Sequence, residues 1–256
     1  MTEDMAAPHR YTDAHRMFLQ ILTAKRILLA SEVKSSFEKC CAEYEVNGID
    51  LKDFVMAINR EVSAMGLCIK RYLQEDALTD CNCYVLVNTV NTEASKHASP
   101  FTPQQFSLLK MIIGEIVDSS DGTIKETTAE NMGAHMNPRM KVSDAEVAID
   151  HFVRNRWLLK HEDGDVTLSL SALALAELEN YLEEGYDGIR CSLCSFITFR
   201  GYTCTSCNLK FHRLCSGKYW NQANSQPVCP GSDCNAPWPH VQLNLSSSSK
   251  RHKNST

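Results

Sequence analysis

Eight residues of the metal-binding types stand in four close pairs within the last quarter of the chain, and this spacing constrains the fold more than any other feature. They are Cys191 and Cys194, Cys204 and Cys207, His212 and Cys215, and Cys229 and Cys234. The first three pairs have two residues between the donors, and the fourth has four. Loops this short let both donors reach one tetrahedral ion. Eight donors fill two four-coordinate sites with no position left for water, so the ions are structural and not catalytic. The segment reads as a small binding domain folded by two zinc ions. Two pairings stand open. In the sequential one, Cys191, Cys194, Cys204 and Cys207 hold one ion, and His212, Cys215, Cys229 and Cys234 the other. In the interleaved one, the first pair joins the third and the second joins the fourth. Spacing does not choose between them.

A disulfide framework is the rival explanation of so much cysteine. Of the 12 cysteines, seven lie in this segment, and a histidine stands in the series. The start, MTEDMAAPHRYTD, carries no long apolar run of the kind that directs secretion. A reducing compartment, cytosol or nucleus, fits this pattern. Cys40, Cys41 and Cys68 sit among apolar neighbours and read as core residues, with Cys81 and Cys83 as bystanders near a strand. No stretch approaches the ~20 apolar residues that cross a bilayer.

The chain's 256 residues suit two or three small domains, and those before this segment repeat one order of elements. Thr12 to Leu29 has helical apolar spacing through Phe18, Leu22 and Leu28, with a break near its end. Ser31 is a candidate cap for a second helix through Val33, Phe37, Cys40, Cys41 and Tyr44. Asp50 caps a third, with Leu51, Phe54, Val55, Ile58, Val62 and Met65 inward. Leu67 to Leu73 and Cys83 to Val90 read as two strands. Three helices and a hairpin make a winged helix. After a polar linker over 91–100, the order returns. Thr102-Pro103-Gln104-Gln105 starts a helix, and a short helix runs from about Lys125 to Met132. Ser143 with Glu146 suggests a second capping box before Val147, Ile149, Phe152 and Val153. Asp163-Gly164 turns a second hairpin, and one more helix runs from Ser171 to Glu184. The expected fold is therefore mainly α with small β wings: two tandem winged-helix domains (1–92 and 100–184), a zinc domain (188–240) and a disordered tail (241–256).

The order of four Cys, one His and three Cys resembles variant RING fingers and, second, PHD fingers, and both imply an interleaved cross-brace. In a RING this resemblance implies docking of a ubiquitin-conjugating enzyme on Leu193, the segment around Tyr219-Trp220, and Pro230. The bland reading is that Leu193 and Trp220 pack a small core and Pro230 stiffens a loop. Asn235 stands where many RING ligases carry a basic residue. A PHD finger would instead build an aromatic cage, for which Phe196, Phe199, Tyr202 and Phe211 are the candidates.

Over about residues 11 to 240 the chain resembles the non-SMC element one family, the RING-bearing subunits of the Smc five–six complex. DAHRMFLQIL, HFVRNRWLLKHEDGDVTLS and the zinc segment through Trp238–His240 carry the likeness. It implies a nuclear, chromosome-associated subunit acting in DNA repair by homologous recombination. Its implied partners are a MAGE-family winged-helix protein, a kleisin and a ubiquitin-conjugating enzyme, and its implied activity is that of a RING-type ubiquitin ligase without a covalent intermediate. The alternative is a non-enzymatic assembly module. Direct DNA reading by the second winged helix would fall to Arg154, Arg156 and Lys160. Asp144, Glu146, Asp150, Glu162, Asp163 and Asp165 oppose it, so DNA contact is assigned mainly to partners. No Ser–His–Asp arrangement, phosphate-binding glycine loop or HExxH motif points to a hydrolase.

Overall fold

Helix capping sets the frame of both winged helices. The computed structural model describes residues 10–75, 80–89, 101–222 and 228–238. The 91–100 linker and the whole 241–256 tail lie outside these. Helix α1 (Asp13–Lys25) buries Ala14, Phe18 and Leu22. It stops at Arg26, whose φ of +64° no helix accepts. Ile27–Leu29 is therefore strand β1, not the last turn of α1 as its apolar run suggested. Helix α2 (Ala30–Glu43) begins one residue before Ser31, the expected cap. The Leu29 N–H is instead taken by the Glu32 carboxylate at 3.0 Å. Asp50 does cap α3 (Leu51–Val62), accepting the Asp53 N–H at 2.8 Å. Met65, expected inward, is exposed, because a 3-10 turn over Ser63–Met65 rotates it off the α3 face. Strands β2 (Leu67–Gln74) and β3 (Cys81–Asn88) form the wing, and β1 adds to it in the order β1-β3-β2. Asn59 locks α3 to the wing through both backbone groups of Ile69, at 2.9 and 2.7 Å.

The second unit repeats this plan. Helix α4 (Pro103–Asp118) starts with the Thr102–Gln105 capping box. Strand β4 (Ile124–Lys125), helix α5 (Glu126–Met132), helix α6 (Val142–Arg154) and strands β5 (Leu158–His161) and β6 (Thr167–Leu170) follow. The sheet order β4-β6-β5 matches that of the first unit. Helix α6 departs from the sequence expectation in two ways. It starts at Val142, so Ser143 lies inside its first turn and caps nothing. Its buried face is Ala145, Ala148, Ile149 and Phe152, which leaves Val147 exposed. Spacings of three, one and three keep that face on a single side of the helix.

The expected single helix over 171–184 is two. Ser171 caps α7 (Ala172–Glu177), and α8 (Glu179–Gly185) begins after a break at Leu178. Residues Ala172 to Ala176 are all buried, against the β2–β3 sheet of the first unit. In α8 only Leu182 is buried, and Glu179 turns to Lys70 and Arg190, at 2.7 and 3.0 Å. Two packing directions cannot be served by one straight helix.

One core lies inside the first unit, around Phe18, Leu22, Phe54, Ile58 and Val62. A second joins Leu108, Ile112, Phe152 and Leu173 to Tyr72, Val85 and Val87 of the first wing and to Ile189, Ile197 and Phe199 of the zinc segment. The loop before β4 comes equally close to that segment. A Cβ on Gly122 (φ +68°) would stand 2.7 Å from the carbonyl carbon of Phe199. The zinc segment thus rests on both winged helices.

Candidate metal centre

Two knuckles of the same build present the first two pairs. In each, the N–H of the first cysteine bonds a carbonyl five residues on: Cys191 to Phe196 at 2.8 Å, and Cys204 to Leu209 at 2.9 Å. In each, the residue after the second cysteine has a left-handed backbone, Ser195 at φ +63° and Asn208 at φ +58°. That conformation curls the loop so both sulfurs face one point. Strands β7 (Tyr202–Thr203) and β8 (Lys210–Phe211) pair and tie the knuckles together. Gly201 allows this, since a Cβ there would meet the Phe211 carbonyl oxygen at 2.2 Å. Helix α9 (Arg213–Gln222) follows His212 and carries Cys215. The last pair sits in a turn in which Cys229 N–H bonds Ala236 O at 2.9 Å and Cys234 N–H bonds Gly231 O at 3.1 Å.

The eight side chains converge as two sets: Cys191, Cys194, His212 and Cys215, and Cys204, Cys207, Cys229 and Cys234. This is the interleaved pairing. Within each set the donor atoms lie within 4.8 Å of one another. Cys204 and Cys234 sulfurs are 3.8 Å apart, and those of Cys207 and Cys229 3.6 Å. A tetrahedron with metal–sulfur bonds of about 2.3 Å has edges of about 3.8 Å. A disulfide would need sulfurs about 2.05 Å apart. His212 Nδ1 stands 3.3 Å from the Cys194 sulfur and 3.8 Å from that of Cys215. Its Nε2 lies 3.1 Å from the Ile197 carbonyl. A proton there leaves the Nδ1 lone pair facing the sulfurs, the tautomer a metal ligand needs.

The donors of the first set share protons unevenly: hydrogen bonds to Cys191 and Cys194 raise the Cys215 thiol. Hydrogen bonds from Cys194 and Cys215 hold the Cys191 thiol far below its ordinary range. Burial lowers His212, but hydrogen bonds to Cys191 and Cys194 and the charge of Glu75 outweigh it and raise it to about 10. In the second set, Cys204 is lowered to about 6: burial opposes this, and hydrogen bonds from the Cys207 and Ser206 backbone outweigh it. Burial pushes Cys229 up to about 12. Thiolates beside an imidazole are a soft donor set suited to zinc. All four positions of each set are filled by protein atoms, which leaves none for a reacting water. Burial likewise pushes the Cys83 thiol up to about 12, but Cys83 belongs to neither donor set.

Comparison with known proteins agrees with this architecture. Residues 15–178 match the family model described as Nse1 non-SMC component of SMC5-6 complex, and residues 191–235 match a RING-like domain. The chain belongs to the Nse1 family. The human Non-structural maintenance of chromosomes element 1 homolog is 33% identical over 234 residues, covering 90% of this chain and 85% of that protein. Its fission-yeast counterpart, from Schizosaccharomyces pombe, is 24% identical over 91% of this chain and 94% of that protein. A chain of a solved Nse1-Nse3-Nse4 complex aligns with a TM-score of 0.78 at 27% identity, covering 91% of this chain and 99% of that one. Among the described residues no helix is long and apolar enough to cross a membrane.

The other Nse1 candidate site residues divide. Leu193 is exposed (38%), between the first two donors, and Pro230 is half-buried between the last two. Trp220 is 9% exposed and belongs to the core: it packs on Trp238 with ring centres 4.5 Å apart, and its indole N–H donates to Val228 O at 3.0 Å. The docking assignment to Trp220 is corrected on that ground. Its neighbour Tyr219 is the exposed aromatic, at 42%. Phe199 and Phe211 are buried and Phe196 stacks on Tyr72, so these aromatics do not form an open cage. Sequence reasoning missed Glu75 and Asp80, two acids of the first unit whose side chains end in the zinc segment. Their partners lie more than 120 residues away, and no local pattern marks them.

Proposed function

We propose that this chain is a RING-type ubiquitin-ligase subunit of an Smc five–six complex, in which two zinc ions shape a docking surface for a ubiquitin-conjugating enzyme. One ion is held by Cys191, Cys194, His212 and Cys215, the other by Cys204, Cys207, Cys229 and Cys234. The observation that carries this is the interleaved donor arrangement, which leaves Leu193 and Tyr219 exposed on a rigid frame. The ions fix the loops, and Leu193, Tyr219 and Pro230 make the contact. Proton and thioester chemistry stay with the conjugating enzyme.

The winged-helix units attach this module to its complex. The similar solved chain comes from an Nse1-Nse3-Nse4 assembly, which supports a MAGE-family partner, Nse3, and a kleisin partner, Nse4. DNA is held mainly by partners. Lys160 is paired with Glu126 at 2.8 Å and Lys125 with Asp165 at 2.6 Å, so the second wing offers few uncompensated cations. Membership of the family supports a nuclear, chromosomal place and a role in recombinational DNA repair. The units divide near 92–100 and 184–188.

A second reading, a module that only assembles the complex, is favoured by Asn235 in place of a basic residue after the last donor and by the long final zinc loop. Ubiquitin-chain formation by the purified chain, alone and with its MAGE partner, separates the two. Leu193→Ala with zinc content unchanged is expected to lower chain formation at least tenfold, the loss of a buried apolar anchor being worth ~2 kcal/mol. Unchanged activity would remove Leu193 from the docking surface. No activity in either preparation would favour the assembly module.

A further inference from the structure

Two buried acids flank the far end of the paired strands in the first unit's wing. Glu75 and Asp80 stand just beyond Gln74 and Cys81, the last register pair of the β2–β3 hairpin. Acids beside a hairpin turn ordinarily meet solvent, yet Glu75 is 2% exposed. Its Oε2 accepts the N–H groups of Phe199 at 3.1 Å and Arg200 at 3.3 Å, and its Oε1 accepts the Thr198 hydroxyl. These donors directly follow Ile197, whose carbonyl faces His212 Nε2 at 3.1 Å. Glu75 Oε1 itself lies 3.9 Å from that nitrogen.

Asp80 holds the other side of the same donor set. Its Oδ2 accepts the Leu214 N–H at 3.0 Å, and its Oδ1 lies 3.2 Å from Arg213 Nη2. Leu214 sits between His212 and Cys215, in the first turn of α9, where a backbone N–H lacks a partner within the helix. The position that would cap this helix is His212, and its side chain faces the sulfurs instead. An acid from another unit supplies the acceptor.

A buried carboxylate is costly unless donors surround it. The donors described for these two come from residues 198–200, 213 and 214, all within three residues of Ile197, His212 or Cys215. The second set is tied differently. Its described hydrogen bonds run to Leu209, Asn208, Ala236 and Gly231, within the zinc segment itself.

We propose that Glu75 and Asp80 are positioning residues of the first metal site, so that the winged helix completes the Cys191–Cys194–His212–Cys215 set and leaves the four-cysteine set independent. Glu75 fixes the loop that orients His212, and Asp80 fixes the helix turn that carries Cys215. Metal retention at the first set and docking of the zinc segment on the first wing are then two faces of one equilibrium. The inference rests on the reading of the eight donors as zinc ligands.

Cobalt(II) loaded into the full-length chain tests it, because three-sulfur, one-nitrogen and four-sulfur sites differ in their visible d–d bands. Cobalt loss to excess chelator is followed at both bands. Glu75→Gln and Asp80→Asn are each expected to speed loss from the first set by about 10- to 100-fold, with the four-cysteine set changed by less than roughly twofold. Thr198→Val, which removes a partner of Glu75 from the zinc side, should speed the same phase, and added to Glu75→Gln it should contribute little more. Should Glu75→Gln fail to fold, Asp80→Asn and Thr198→Val carry the test. Equal acceleration at both sets, or at neither, overturns the proposal. Failure of the unmodified chain to bind two cobalt ions overturns the zinc reading itself, and the proposal with it.

Discussion

The core of the first winged helix is built from Phe18, Leu22, Phe54, Ile58 and Val62 and their apolar neighbours. In the zinc segment's own core, Cys191, Cys204 and Cys229 stand beside Phe211, Trp220 and Trp238, so half of that cluster's buried residues belong to the two candidate donor sets. The first region can fold on the burial of hydrocarbon. The second has little of it and, on the proposed reading, relies on ions, as many small metal-binding domains do. The two are nonetheless joined, since Ile189, Ile197 and Phe199 of the zinc segment share a cluster with Tyr72, Val85 and Val87 of the first wing and with the core of the second winged helix.

Metal removal should break this comparison open most widely. Structural zinc contributes on the order of 10–16 kcal/mol of apparent folding free energy in small fingers. Stripping the ions is expected to expose the amides of residues 191–222 to hydrogen exchange while those of α4 stay protected. Simultaneous loss of protection in α4 would show that the halves are one cooperative unit. The converse perturbation is Phe152→Ala. Phe152 is fully buried, and its truncation should cost about 3–5 kcal/mol and lower the thermal midpoint of the winged helices, with two metal ions still bound by elemental analysis.

The smallest effect sharpens the boundary. Glu179 joins Lys70 of the first wing to Arg190 of the zinc segment. Burial raises its carboxyl, but the hydrogen bonds and charges of Lys70 and Arg190 outweigh this and hold it below the ordinary range. Its folded value is below its unfolded one, so its contribution is complete above the unfolded value near 4.3 and disappears as pH falls through the folded value. Glu179→Gln should cost on the order of 1 kcal/mol at neutral pH. The stability difference from the parent chain, measured by urea titration, should shrink on acidification below about pH 4. A difference that persists there would assign the cost to packing.

Most of the fold was legible because its signals are local. Asp50 and Thr102 cap the helices their positions suggested, and the four ligand pairs were evident from spacing. Ile27–Leu29 misled because an apolar run continues α1 without a breaker, and only the backbone of Arg26 ends the helix. Ser143 and Glu146 have capping-box spacing, yet the buried set Ala145, Ala148, Ile149 and Phe152 fixes where α6 starts and which way it faces. Which pair joins which depends on the β7–β8 pairing and the position of α9, and both are set by tertiary packing. Glu75 and Asp80 were illegible for the same reason: acids in a wing loop look like solvated surface until their distant donors are seen.

The chain has three tryptophans, and their distribution gives it a built-in optical gauge. Trp157 belongs to the winged-helix core, whereas Trp220 and Trp238 pack together in the core of the zinc segment. On the zinc reading, two of the three emitters sit where polarity should change on metal removal. Without any added label, a red shift in intrinsic fluorescence would register the state of the C-terminal module in the intact assembly.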